Sequence, residues 1–228
     1  MTQIEAGMLP AATAPVRVSR AGALCGAAGI FGAASGIFLA VYPAQVSEDM
    51  FSYPLTAGGF TLIQVWFFVQ HLGLLAGIAA LAPADVMAPG RGARWGVALA
   101  VAGMALLAVT ELIAITARNS TYPGEGTALL DVLYGVSSVA VGVGLVLAGI
   151  AVRRRGRWTG WRGLVVLVAG LFVFVPMLPA LIGPFLLARM AITVWMLLFA
   201  ALGYALWKAD DGSMRANSEA GRRERGTP

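Results

Sequence analysis

Apolar residues run along this chain in long unbroken stretches, with neither the alternation of a half-buried strand nor the polar face of a soluble helix. A helix needs about 20 such residues to cross ~30 Å of hydrocarbon. Six stretches qualify: residues 21–42, 60–81, 95–116, 128–152, 163–182 and 185–207. Strands are excluded, because an open sheet cannot satisfy its backbone in lipid and a barrel strand alternates. The pattern therefore predicts an all-α, polytopic transmembrane bundle of six spans over 20–207. It is flanked by polar segments, 1–19 and 208–228, that read as disordered.

Composition supports this reading. Of 228 residues, 59% are hydrophobic and only 12% charged, too little charge to cover a soluble surface. The sixteen Lys and Arg residues are unevenly placed. Arg17 and Arg20 precede the first span, and Arg91 and Arg94 lie between spans two and three. Arg153, Arg154, Arg155, Arg157 and Arg162 separate spans four and five, and Lys208, Arg215, Arg222, Arg223 and Arg225 follow the sixth. All of these fall on one side, which by the positive-inside rule predicts both termini in the cytoplasm. The net charge of +5 is thus spent on topology, and nucleic acid is not an expected partner. The first apolar run is too long for the core of a cleavable signal peptide and reads as a first span. The Ala-, Gly- and Arg-rich style is similar to that of small membrane proteins of high-GC bacteria, which implies the bacterial cytoplasmic membrane.

Small residues set the expected packing. In span one Gly22, Gly26, Gly29, Ala33, Gly36 and Ala40 recur at steps of three and four on one face, where another helix can approach closely. Gly73 and Gly77 in span two, and Gly142 and Gly149 in span four, suggest further contacts of this kind. Such faces also suit a second copy or a partner membrane subunit. Pro176 and Pro179, with Pro184 just beyond, predict a kinked or unwound end to span five. Leu75–Ala79 recurs as Leu147–Ala151, each followed by an Arg-rich loop, a Trp and a span, so that spans two–three and four–five read as related hairpins. The longest outer loop, 43–59, carries Glu48 and Asp49 and then an aromatic segment, and reads either as an interfacial anchor or as a lid.

The candidate chemistry lies in the ionisable residues inside spans, which are costly and face the bundle interior. There are four: His71, Glu111, Asp131 and Arg189. At 1.5 Å per residue, Glu111, Asp131 and Arg189 all fall about 5–8 Å from the outer ends of their helices. Gln64 falls in the same layer, seven residues from His71 and on its face. Asp131, Tyr134 and Ser138 share one face of span four. These residues predict an outward-facing polar pocket for a proton, a small cation or a small polar ligand. Its members would be Glu111, Asp131, Arg189, Gln64, His71 and Tyr134, with His71 as an inner relay. This is the reading of a small transporter or ligand-binding membrane protein. The alternative is an accessory subunit in which Arg189 pairs with both carboxylates only to fix helix register.

Enzymatic and cofactor readings have less behind them. One cysteine, Cys25, excludes an internal disulfide and a multi-Cys metal site, and one histidine cannot supply a zinc hydrolase. A haem would need a second axial ligand beside His71, such as Met104 or Met196. No metal or cofactor is therefore expected. Gly135–Ser138 resembles the Gly-x-Ser element on the fourth helix of rhomboid proteases, which also have a six-helix core. That resemblance implies an intramembrane serine hydrolase, but it covers four residues. The sixth span here lacks the histidine that rhomboids carry there.

Overall fold

The computed structural model describes residues 14–224, with side chains from 17 to 208. Each apolar stretch forms helix. The elements are α1 (Ala14–Val41), α2 (Ala57–Ala80), α3 (Arg91–Ala114), α4 (Glu125–Arg155), α5 (Arg162–Phe172), α6 (Leu178–Leu181) and α7 (Phe185–Glu224). Six helical stretches are long and apolar enough to cross a membrane, and no strand occurs among the described residues. Helix α1 begins six residues before the predicted boundary, and the backbone of α7 stays helical to Glu224. The expectation of disorder at 1–13 and 225–228 lies outside the described residues.

Consecutive spans pack antiparallel, and α7 closes the ring between α5 and α1. The main-chain approaches are made by glycine. Gly22 and Gly26 of α1 lie against Gly203 of α7, where a Cβ on Gly203 would stand 2.5 Å from Gly26 Cα. In α3, a Cβ on Gly103 would meet Val141 N of α4 at 2.8 Å. The small-residue stripe of α1 is thus occupied within the chain by α7, while Gly73 and Gly77 of α2 pack on Ala28 and Cys25 of α1. Gly77 packs on the preceding helix and Gly149 on the following one, at Leu167. The two halves of the apparent repeat therefore do not make equivalent contacts.

The break in span five is a single wide π-turn, Val173–Met177, followed by the four residues of α6. Pro176 has no N–H, and its ring would strike the carbonyl one turn back; the wider turn relieves both. Gly142 of α4 packs on Val173 and Phe174 of this turn, whereas Gly135, two turns further along, meets nothing within 4 Å. The freed backbone thus packs on an apolar helix, and beyond it α4 loses a neighbour.

The two ends of the bundle differ. At the basic end, Ala88 N donates to Ala151 O at 2.9 Å, and Asp85 accepts from Arg155 at 3.1 Å and from Arg157. Gly156 ends α4 in the left-handed region (φ 69°), where a Cβ would be strained. At the far end, the α1–α2 loop crosses the bundle and pairs with the α3–α4 loop. Met50 and Thr121 form an antiparallel bridge, Phe51 N donates to Ser120 O at 2.9 Å, and Tyr122 N donates to Asp49 O at 2.6 Å.

Candidate functional site: a buried polar cluster between three helices

Helices α2, α3 and α4 each turn polar side chains to one place. Glu111 of α3 is 7% exposed, Gln64 of α2 4% and His71 of α2 5%. Tyr134 of α4 donates its hydroxyl hydrogen to Glu111 Oε2 at 2.9 Å. Gln64 Nε2 donates to the Tyr134 oxygen at 3.3 Å and to the Glu111 carbonyl at 3.4 Å. The chain from Gln64 through Tyr134 to Glu111 ties the three helices at one level. The second carboxylate oxygen, Oε1, faces His71 Nδ1 at 3.9 Å, beyond hydrogen-bond range.

The tautomer of His71 follows from its neighbour. Nδ1 lies 2.6 Å from the Phe67 carbonyl, which can only accept, so Nδ1 carries a hydrogen. In the neutral ring Nε2 then holds the lone pair. Ser138 is buried but makes no hydrogen bond to this ring, and Ser137 Oγ donates to the Tyr134 carbonyl. The serine–histidine contact that a hydrolase would need is not formed.

Arg189 and Asp131 depart from the expected convergence. Arg189 is half-buried and within electrostatic reach of Glu111 and Tyr134. Its guanidinium lies over the Phe185 ring, 4.9 Å from the centroid, and among the described residues no carboxylate comes within 4 Å of it. The expected Arg–carboxylate ion network is therefore absent from the described residues, and Glu111 is bonded by Gln64 at its main-chain carbonyl and by Tyr134 at its carboxylate instead. Asp131 is exposed, one turn from Gly135 on the side where α4 lacks a neighbour. It shares a hydrogen bond with Tyr122 of the α3–α4 loop. Partial burial first, and then the Asp131 charge and hydrogen bond, raise the Tyr122 phenol above its ordinary value. Helical phase had placed Asp131 with Tyr134 and Ser138; the proline-driven divergence of span five, invisible to phase alone, leaves it outside.

The site is also not an open pocket. One turn towards the far end, Phe60, Ala114 and Leu130 are buried together with Leu39, Leu55 and Ala117, and Phe51 packs on this group. Towards the basic end, Leu107 one turn from Glu111, Leu74 one turn from His71 and Val141 two turns from Tyr134 are buried in the main core. The polar residues form an island between two apolar layers. The two surface grooves of note lie elsewhere, one at Arg91, Arg94 and Trp95 and one at Phe38, Tyr42 and Leu62.

Sequence reasoning passed over two contributors. Gln70, 3% exposed, donates to Met196 Sδ at 2.9 Å and fills the space above Gly32 of α1. It was visible as a glutamine next to His71 in an apolar run, and the roughly 100° between adjacent residues sends it to α1 and α7 rather than to α3. Phe185, the aromatic partner of Arg189, was visible only as the first residue of its span. No group of three or more His, Cys, Asp or Glu that could hold a metal occurs among the described residues. Comparison with models of known families, with curated proteins and with solved structures gives no match, so the functional reading rests on this geometry alone.

Proposed function

We propose that the chain is a multi-pass protein of the bacterial cytoplasmic membrane, with both termini inside, that binds a proton at Glu111, or a small cation in its place. Six apolar helices support the membrane assignment, and the gathering of Arg and Lys at one end supports the orientation. One observation carries the reading of the site. A carboxyl buried among three apolar helices is held by a phenol, which the Gln64 amide supports from behind, while the Arg189 guanidinium within its electrostatic reach is stacked on Phe185. A carboxylate kept for packing alone would be closed by a contacting cation, because an unpaired buried charge is expensive. A carboxyl that gains and loses a proton needs the looser arrangement, with a group that can stabilise the charge without cancelling it. His71, on the inner side of Glu111, is the next group able to take a proton.

A second reading has an observation of its own. The Gln64–Tyr134–Glu111 chain joins α2, α3 and α4, which suits an accessory subunit whose polar core only fixes helix register. Thermal unfolding in detergent across a pH series separates the two. The proton-site reading expects Glu111→Gln to be as stable as wild type or more so, and to lose part of the wild-type pH dependence. A large loss of stability at every pH, no greater when Tyr134→Phe is added, would favour the structural reading.

A further inference from the structure

The polar island has no open route to the far end, and the element that closes it belongs to a loop. Residues 42–56 between α1 and α2 leave the membrane-length helices and lie across the bundle. The first half, around Ser47 to Asp49, is exposed, whereas Ser52 is 1% and Leu55 7% exposed. Leu55 and Phe51 complete the apolar layer one turn above Gln64, Glu111 and Tyr134, with Phe51 edge-on to Phe60 at 5.7 Å. The next aromatic of the loop, Tyr53, packs edge-on to Phe185 at 5.0 Å, and Phe185 carries the Arg189 guanidinium. One short segment thus touches both the seal over Glu111 and the ring on which Arg189 rests.

Its attachment is slight. Beyond side-chain packing, the loop is held to the α3–α4 loop by one isolated bridge, formed by Phe51 N to Ser120 O and Tyr122 N to Asp49 O. Segments with few backbone bonds and an exposed outer half open at far lower cost than packed helices. We propose that residues 42–56 are a gate. In the closed position shown, the gate isolates Glu111 from far-end water and keeps Arg189 stacked on Phe185. Opening breaks the bridge, lifts Phe51 and Leu55 out of the seal, and removes Tyr53 from Phe185. The proposal rests on Glu111 being a proton site, since a purely structural cluster needs no access.

The bridge supplies the test. Met50 and Thr121 lie directly opposite each other, the arrangement whose Cα separation suits a disulfide. The protein with Met50→Cys, Thr121→Cys and Cys25→Ser is placed in vesicles and treated with a charged, water-soluble carbodiimide, which modifies protonated carboxyls. Modification of Glu111 is read by mass spectrometry with the bridge oxidised and then reduced. Oxidation is expected to slow it by about tenfold or more, and reduction to restore it. Equal rates would overturn the gate and point to lateral access beside α4, where Tyr134 and Arg189 are half-exposed. Absence of modification in both states would count against the proton site instead. The gate is then read in a second background, Gln64→Cys with Cys25→Ser, using a charged water-soluble thiol reagent. Adding Phe51→Ala should speed labelling of that thiol by about tenfold, and an unchanged rate would overturn the gate independently of any proton.

Discussion

At the residue scale, Glu111 is defined by what touches it and by what does not. Its hydrogen bond from Tyr134 replaces water that the helices exclude, and burial makes that bond matter. Tyr134→Phe keeps the ring and removes the donor, leaving Oε2 without a partner. We expect a loss of about 1–3 kcal/mol in unfolding free energy, measured by denaturant titration in mild detergent. In the background of Glu111→Leu, where no acceptor waits, the same change should cost much less. That Glu111, His71 and Gln64 face inwards was legible from the cost of polar groups in apolar runs and from their helical phase. The partner of Arg189 was not. Charge pairing predicts a carboxylate, whereas the structure gives it the face of Phe185, a choice set by where the α6–α7 turn places that ring.

At the element scale, close main-chain approach at glycine brings α1 to α7 and α3 to α4, beside a core of large buried side chains such as Phe199, Leu74 and Met104. Glycines that look alike in sequence therefore differ in importance. A Cβ on Gly203 would stand 2.6 Å from the Gly22 carbonyl oxygen, whereas Gly135 faces open space. Gly203→Val should cost at least about 1–3 kcal/mol by forcing α1 and α7 apart. Gly135→Ala should be neutral or stabilising by up to about 1 kcal/mol, through helix propensity alone. Thermal melts of the two variants beside wild type check both. Span number, span boundaries to within a few residues and the small-residue face of α1 were all readable, because length and spacing determine them. The fate of Asp131 was not, because it depends on how a π-turn at Pro176 steers span five away from α4, and a proline signals a break without its direction.

At the scale of the whole molecule, the bundle has a basic end braced by Asp85 and a far end crossed by a loop. The proposed orientation is checked by single cysteines in a Cys25→Ser background. Ser47→Cys should react with an impermeant thiol reagent in intact cells, and Thr159→Cys only after permeabilisation; the reverse pattern would invert the topology. Between those ends lies the central claim, a carboxyl at Glu111 that exchanges a proton inside the bundle. Its most direct measurement is an infrared pH titration of the protein in bilayers, following the protonated-carboxyl stretch. We expect a titrating band that disappears in Glu111→Gln and persists in Asp131→Asn. A spectrum unchanged by Glu111→Gln, or a Glu111 band that does not respond to pH, would contradict it.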